Sequence, residues 1–89
     1  MERIILDCER ITTGEAFHTA ISLALGFPGW YGGNLDALHD LLTERTTDTA
    51  LQLHGWQNAK AALGPYGTRL EKVLVISARE NPCLTIEFC

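Results

Sequence analysis

Four segments of the chain carry apolar residues at helical spacing. Leucine, isoleucine, valine, alanine or aromatic residues recur there every three or four positions, which gives each segment one apolar face. Capping and breaking residues then set the ends of each helix. The predicted helices run from a cap at Thr12 or Thr13 to Gly26, from Leu35 to about Glu44, from Trp56 to Leu63, and from the Gly64-Pro65 break to the Asn81-Pro82 stop.

Three other segments have the pattern of strands. The run Ile4-Ile5-Leu6 is continuously apolar, which is typical of a strand covered on both faces, although a buried helix fragment has the same pattern. Residues 49–54 alternate apolar leucines with polar residues, as a half-buried strand does. Residues 84–88 alternate in the same way.

Each pair of successive strands is joined by a connection that contains helices. Such connections are too long for hairpins, so we expect parallel strands joined by right-handed crossovers. The sequence therefore predicts a small α/β fold in one domain over residues 1–89, with a three-stranded parallel sheet packed with about four helices. Because a strand that is apolar on both faces belongs at the centre of a sheet, Ile4-Leu6 is predicted to lie in the middle.

Length and charge indicate one small binding domain with an acidic surface. The 89 residues, 46% of them apolar, suffice for one core. With 11 acidic against 7 basic residues, the net charge is −4, which disfavours direct contact with nucleic acid and favours a basic protein as partner. We expect a monomer when the protein is free, with no cofactor and no bound metal.

The cysteines and the N-terminus indicate a reduced, cytoplasmic protein. Cys8, Cys83 and Cys89 stand singly, without metal-type or redox-type spacing, and an odd number cannot close completely into disulfides within one chain. The apolar run after Met1 is too short for a secretory signal, and no segment is long enough to span a membrane. We therefore expect the protein to stay in the cytoplasm.

Residues 26–42 place an aromatic, glycine-rich loop directly before an acidic helix. Asp36 and Asp40 lie one turn apart, where like charges repel unless a cation is near, and the nearest candidates are His39 and Arg45. Asp36 has a structural explanation, because carboxylates in the first turn interact favourably with the helix dipole. Asp40 lies beyond most of that field and close to two aromatic residues. A solvated surface carboxylate is the ordinary explanation for Asp40. Aromatic residues are common at the energetic centres of protein interfaces, however, so its neighbours Trp30 and Tyr31 favour a role in binding.

Structural roles are also possible for the residues of this loop and for the histidines outside it. Trp30 and Tyr31 could hold the loop on the core. The loop glycines could be required for a positive φ, and they could also let a partner approach the backbone closely. His18 and His54 fit ordinary helix and strand patterns, so we assign them no role.

The run from Phe27 to Thr43 closely resembles the signature of the barstar family, inhibitors of the ribonuclease barnase. The match lies in the pattern Y-G-x-N-L-D-A-L-x-D, preceded by Pro28 and by a second aromatic at Trp30. Chain length, element order and the segment Cys83-Leu84-Thr85-Ile86 agree with it. The resemblance implies a barstar-like fold and a cytoplasmic inhibitor that blocks a ribonuclease active site, with its carboxylates in the place of RNA phosphates.

The resemblance also implies roles for individual residues. Asp40 would be the central phosphate mimic, Asp36 its neighbour and Trp30 an aromatic contact. The implied partner-binding residues are Trp30, Tyr31, Gly32, Asn34, Asp36, Ala37, His39, Asp40 and Thr43. The implied partner is a basic secreted or toxin ribonuclease, bound one to one through charge pairs that bind strongly and speed the encounter.

Three positions depart from the family pattern. His39 stands where a large aromatic is common, and Arg45 adds a positive charge just past the acidic helix. The acidic residue that the family has on its last helix matches Ser77 here, and the nearest carboxylates are those of Glu71 and Glu80. These departures leave the identity of the partner open.

Two other classes of function fit the same residues. Asp36, His39 and Asp40 could in principle hold a divalent metal, or His39 could act as a general base. One helix face supplies no evident pocket, and no common catalytic motif is present, so we do not expect an enzyme. A barstar-like surface could also be directed to a basic partner that is not a nuclease, through His39, Arg45 and Ser77.

Overall fold

The fold consists of one parallel sheet and four helices. The computed structural model describes all 89 residues. In chain order the elements are β1 (Glu2–Asp7), α1 (Gly14–Leu25), α2 (Leu35–Glu44), β2 (Thr49–His54), α3 (Trp56–Leu63), α4 (Pro65–Glu80) and β3 (Leu84–Phe88). The α/β class, the parallel three-stranded sheet and the four helices are confirmed.

The helices cover one face of the sheet. The register aligns the strands so that two apolar rows of the same face belong to the core or pack against it. These rows are Ile4, Leu51 and Ile86, and Leu6, Leu53 and Phe88. On the other face, Ile5 and His54 are exposed and Gln52 is half-buried. The half-buried alternation predicted for β2 is therefore confirmed from Leu51 onward.

The middle strand of the sheet is β2, not β1. β2 pairs with β1 on one side and with β3 on the other. The prediction that Ile4-Leu6 lies in the centre is therefore wrong. It assumed that an apolar run is covered on both faces, but Ile5 lies on the uncovered face and is 63% exposed. Three apolar residues in a row are compatible with an edge strand when the middle one projects into solvent.

The helices meet over the sheet in one apolar core. Each helix contributes fully buried side chains, and each large one of these stabilises the fold by about 1.5–3 kcal/mol relative to exposure. They include Phe17 and Ile21 of α1, Leu38 and Leu42 of α2, Trp56 of α3, and Leu70 and Leu74 of α4. Trp56 is thus a core residue.

Side-chain and backbone caps fix the ends of α1. The Thr13 hydroxyl accepts a hydrogen bond from the Ala16 backbone N–H (3.1 Å), so Thr13 rather than Thr12 is the cap. The helix ends at Gly26, whose φ of 67° is left-handed and suits glycine. None of the four helices combines the length and apolar composition that crossing a membrane requires.

Asn81 joins the C-terminal ends of α2 and α4. Its side chain is buried, and its amide nitrogen donates to the backbone oxygens of Leu42 (2.8 Å) and Arg45 (2.9 Å). Its amide oxygen accepts from the Cys83 backbone N–H (2.9 Å). One side chain therefore satisfies carbonyls that the end of α2 leaves unpaired, and it fixes α2 relative to α4.

Candidate protein-binding site

A loop and the outward side of α2 form a continuous surface. The loop comprises residues 27–33 and is called here the aromatic loop. Leu38 and Leu42 are fully buried, so the opposite side of α2 faces solvent. Asp36 and Asp40, one turn apart, are exposed on that side.

Gly33 and Asn34 form the junction between the aromatic loop and α2. The Asn34 side-chain oxygen accepts a hydrogen bond from the Ala37 backbone N–H (2.8 Å), which caps the helix. Gly33 has a φ of 66°, whereas Gly29 and Gly32 have no positive φ. The conformational role considered for the loop glycines therefore applies only to Gly33. At Gly32 a Cβ would lie 3.1 Å from the Asn34 amide nitrogen, so Gly32 leaves room for the cap.

The carboxylates of α2 have no lysine or arginine as ion-pair partner. The Asp40 side chain is 74% exposed, and the nearest basic group is Nδ1 of His39 at 3.9 Å. Asp36 forms no ion pair. Both carboxylates are therefore available to a cationic partner.

Arg45 points away from this surface. Its guanidinium pairs with Glu2 (2.6 Å), and it donates to the Thr49 hydroxyl (2.6 Å) and the Leu25 backbone oxygen (3.2 Å). Its side chain is only 17% exposed. The expectation that Arg45 could neutralise Asp40 is therefore wrong, because the side chain joins α2 to β1, β2 and α1 instead.

His39 connects α2 to α4 through Glu80. Nε2 of His39 lies 3.0 Å from a carboxylate oxygen of Glu80, whose side chain is 51% exposed. This contact adds a third carboxylate to the two aspartates of α2. We call Asp36, His39, Asp40 and Glu80 together the acidic face.

The other two candidate positions on α4 do not reach the acidic face. Ser77 is fully buried, and its hydroxyl oxygen has no hydrogen-bond partner. Glu71 lies on the side of α3, where it accepts from the Trp56 indole N–H (2.6 Å) and pairs with Lys60 (3.1 Å). The indole hydrogen bond and Lys60 hold the pKa of Glu71 below its usual value. Glu80 is therefore the α4 carboxylate beside the predicted site.

The two aromatic residues of the loop differ in exposure. Trp30 is 74% exposed. Tyr31 is half-buried, with its ring edge-on to Phe27 (4.9 Å between centroids) and its hydroxyl 2.5 Å from Nδ1 of His18. Of the two structural roles considered for this pair, the one at Tyr31 is confirmed, whereas Trp30 remains free for a contact.

Ala37 and Thr43 are half-buried at the margins of the surface. The Thr43 hydroxyl donates to the backbone oxygen of His39 (2.8 Å), so it is directed back onto its own helix. These two residues contribute surface rather than charge.

His18, to which the sequence assigns no role, is buried beside the candidate site. It is only 5% exposed, and its ring nitrogens contact the hydroxyls of Tyr31 (2.5 Å) and Tyr66 (2.6 Å). Burial lowers the pKa of His18 and raises those of both tyrosines. The partners lie 13 and 48 residues away, so no local pattern could have indicated the contact.

A groove of about 730 Å³ lies beside the aromatic loop, and its lining includes His18, Tyr31 and Tyr66. No group of three or more His, Cys, Asp or Glu side chains is arranged to hold a metal ion. The arrangement considered for metal binding on α2 is not formed, because the His39 ring is directed at Glu80.

Comparisons with known proteins agree with this geometry. The family model described as Barstar (barnase inhibitor) matches residues 1–84. The chain is 33% identical over 75 residues to a Bacillus subtilis (strain 168) protein named "Putative ribonuclease inhibitor YrdF". That match covers 83% of this chain and 82% of the relative. The resemblance in the aromatic loop and α2 thus extends over most of the sequence, and the chain belongs to the barstar family.

Proposed function

We propose that this protein is a cytoplasmic inhibitor of a barnase-type ribonuclease and covers the nuclease active site with its aromatic loop and acidic face. One observation carries the proposal. In a chain of the barstar family, three carboxylates without lysine or arginine partners lie on one exposed surface that follows the exposed Trp30.

The chemistry of the two surfaces is complementary. A ribonuclease site gathers arginine, lysine and histidine side chains to hold phosphate, and carboxylates can take the phosphate positions through charge-assisted hydrogen bonds. Opposite potentials also steer the two proteins together and raise the association rate. Asp40 is the central mimic in this proposal, with Asp36 beside it and Glu80 as the contribution of α4.

The remaining residues support these carboxylates. Trp30 and Gly32 are exposed for direct contact, and Tyr31, Ala37 and Thr43 extend the contact area. Asn34 fixes the start of α2 by capping it. The protein is proposed to act as a monomer that forms a one-to-one complex with a basic secreted or toxin ribonuclease. It performs no catalysis of its own in this account.

The proposal is tested by inhibition of RNA cleavage. A panel of microbial barnase-type ribonucleases is titrated with wild-type protein, Asp40→Ala and Glu87→Ala, with a fluorogenic RNA as substrate. Glu87 is exposed on β3, on the uncovered face of the sheet, so its variant matches the charge change away from the site. We expect inhibition at one equivalent by wild type and Glu87→Ala, and its loss in Asp40→Ala. Unchanged inhibition by Asp40→Ala would contradict the proposal that the acidic face covers the active site.

A second candidate is a binding module for a basic protein that is not a nuclease. It is favoured by the histidine at position 39 and by the burial of Ser77, since both depart from the family pattern at the implied contact surface. Capture from the native cell separates the candidates, because an inhibitor should retain a nuclease that a zymogram with RNA detects. A retargeted module should retain a basic protein without that activity, still in an Asp40-dependent way.

A further inference from the structure

His18 lies beneath the aromatic loop and contacts it through Tyr31. Its Nδ1 contacts the hydroxyl of Tyr31, and their rings are 5.7 Å apart between centroids. A Cβ at Gly33 would lie 3.8 Å from the Cβ of His18, so the loop backbone also passes over this residue. The histidine thus contacts the loop at Tyr31 and lies close to its backbone at Gly33.

The same imidazole is anchored on its other side by Tyr66. Nε2 lies 2.6 Å from the Tyr66 hydroxyl, in the first turn of α4. A neutral imidazole has one N–H and one acceptor nitrogen, so one tyrosine hydroxyl donates to the ring and the other accepts from it. Three segments, α1, the aromatic loop and α4, are therefore fixed by two hydrogen bonds of one buried ring.

Fixing the loop before binding bears on affinity. A loop that must become ordered on association lowers the affinity by the cost of that ordering, whereas a preformed loop does not. The Trp30 side chain is 74% exposed. Phe27 and Tyr31 pack against the core, and Tyr31 is the loop residue whose side chain also bonds His18.

We propose that His18 is a positioning residue of the inhibitory site, which holds the aromatic loop in its binding conformation through Tyr31 while Tyr66 holds the imidazole. The part that concerns binding rests on the proposed function. The part that concerns the loop can be measured on the free protein.

Two substitutions of His18 separate positioning from general stability. In His18→Asn the amide reaches about as far as Nδ1 and can still bond Tyr31, whereas in His18→Gln it reaches about as far as Nε2 and can bond only Tyr66. Each variant removes the ring and keeps one hydrogen bond. Tyr66→Phe removes one hydroxyl and leaves every group of the loop in place. Thermal unfolding of all three variants identifies any that fail to fold.

The first readout is hydrogen exchange of the Tyr31 backbone N–H in the free protein, which donates to the Pro28 oxygen (3.0 Å) inside the loop. We expect exchange in His18→Gln to be about three- to tenfold faster than in His18→Asn, the factor that corresponds to one net hydrogen bond. The dissociation constant for an inhibited ribonuclease should be higher for His18→Gln than for His18→Asn by a similar factor. Tyr66→Phe should show a smaller change in the same direction, because the ring of His18 and its bond to Tyr31 remain.

The outcomes distinguish the two proposals. Equal exchange in the two His18 variants, or an affinity loss that follows only their melting temperatures, would overturn the positioning role. Slow loop exchange in His18→Asn with fast exchange in His18→Gln supports it. If well-folded wild type inhibits no ribonuclease while this exchange difference is present, the proposed function fails and the control of the loop by His18 stands.

Discussion

Replacing Asn81 by alanine should strongly destabilise the fold, although Asn81 lies outside every helix and strand. Its amide bonds the backbone oxygen of Leu42 in a buried position, and it also bonds the Arg45 oxygen and the Cys83 N–H where they are partly buried. An unsatisfied buried group costs about 1–3 kcal/mol, and each partly buried bond contributes about 0.5–1.5 kcal/mol. We therefore expect Asn81→Ala to lower the free energy of unfolding by about 2–6 kcal/mol.

The expected loss is large enough to measure by two methods. For a domain of this size, each kcal/mol corresponds to roughly 4–8 °C in melting temperature, so Asn81→Ala should melt at least about 8 °C lower. Urea unfolding followed by circular dichroism gives the free energy directly. Asn58→Ala is the matched control, because its amide contacts only Glu9 on the exposed surface (3.0 Å) and its loss should cost within about 0.5 kcal/mol.

A second variant tests the direction of the hydrogen bonds. Asn81→Asp keeps the oxygen that accepts from Cys83 but turns a carboxylate oxygen toward two carbonyl oxygens, so it should be at least as destabilising as alanine at neutral pH. A free energy of unfolding for Asn81→Ala within about 0.5 kcal/mol of the wild-type value is what an ordinary surface substitution gives. That result would refute the proposed role of Asn81 in holding α2 against α4.

Three further predictions concern the acidic face and His18. Asp40→Ala should change the free energy of unfolding by less than about 0.5 kcal/mol in urea unfolding, because an exposed carboxylate 3.9 Å from a histidine contributes little. Glu80→Gln should raise the dissociation constant for an inhibited ribonuclease tenfold or more, which corresponds to about 1.4 kcal/mol, whereas Glu87→Gln should leave it unchanged. Equal effects of the two substitutions would show that Glu80 does not contact the ribonuclease. Burial lowers the pKa of His18, so an unfolded chain takes up the proton first. The free energy of unfolding should therefore fall as the pH decreases from about 6.5 to the lowered pKa of His18 in the folded protein. In His18→Gln, which lacks this group, it should fall less steeply. Equal slopes would contradict the assignment.

The sequence predicted the helices well because their signals are local. Asn34 before an apolar stripe specified the start of α2, and the Gly64-Pro65 break separated α3 from α4. The order of the strands, in contrast, depends on contacts between distant segments. The apolar run Ile4-Ile5-Leu6 is compatible with a strand covered on one face and with a strand covered on both. Only the placement of the four helices on one side of the sheet shows that one face of this strand is uncovered.

In the candidate site, too, local features were predictable from the sequence and contacts between distant residues were not. Exposure of Trp30, Asp36 and Asp40 agrees with what a loop and an amphipathic helix predict. The pairing of Arg45 with Glu2 was not predictable from spacing, because the two residues are 43 positions apart. The contact of His39 with Glu80 likewise required knowing how α4 packs beside α2, since 41 positions separate them.

The salt dependence of association gives an independent test of charge complementarity. The association rate with an inhibited ribonuclease, measured by stopped flow, should fall several-fold between about 50 and 500 mM NaCl, because salt screens the attraction between the two surfaces. An association rate that does not change with salt would instead indicate apolar docking.

The central claim is that carboxylates of this protein occupy the phosphate positions of a nuclease active site. The measurement that tests it most directly is the apparent inhibition constant at increasing concentrations of RNA substrate, for wild-type protein and Glu80→Gln. We predict competition: the apparent constant should rise linearly with the RNA concentration for both proteins, and its value extrapolated to zero RNA should be higher for Glu80→Gln. An apparent constant that is independent of the RNA concentration would contradict it, because the inhibitor and the RNA phosphates would then occupy different sites.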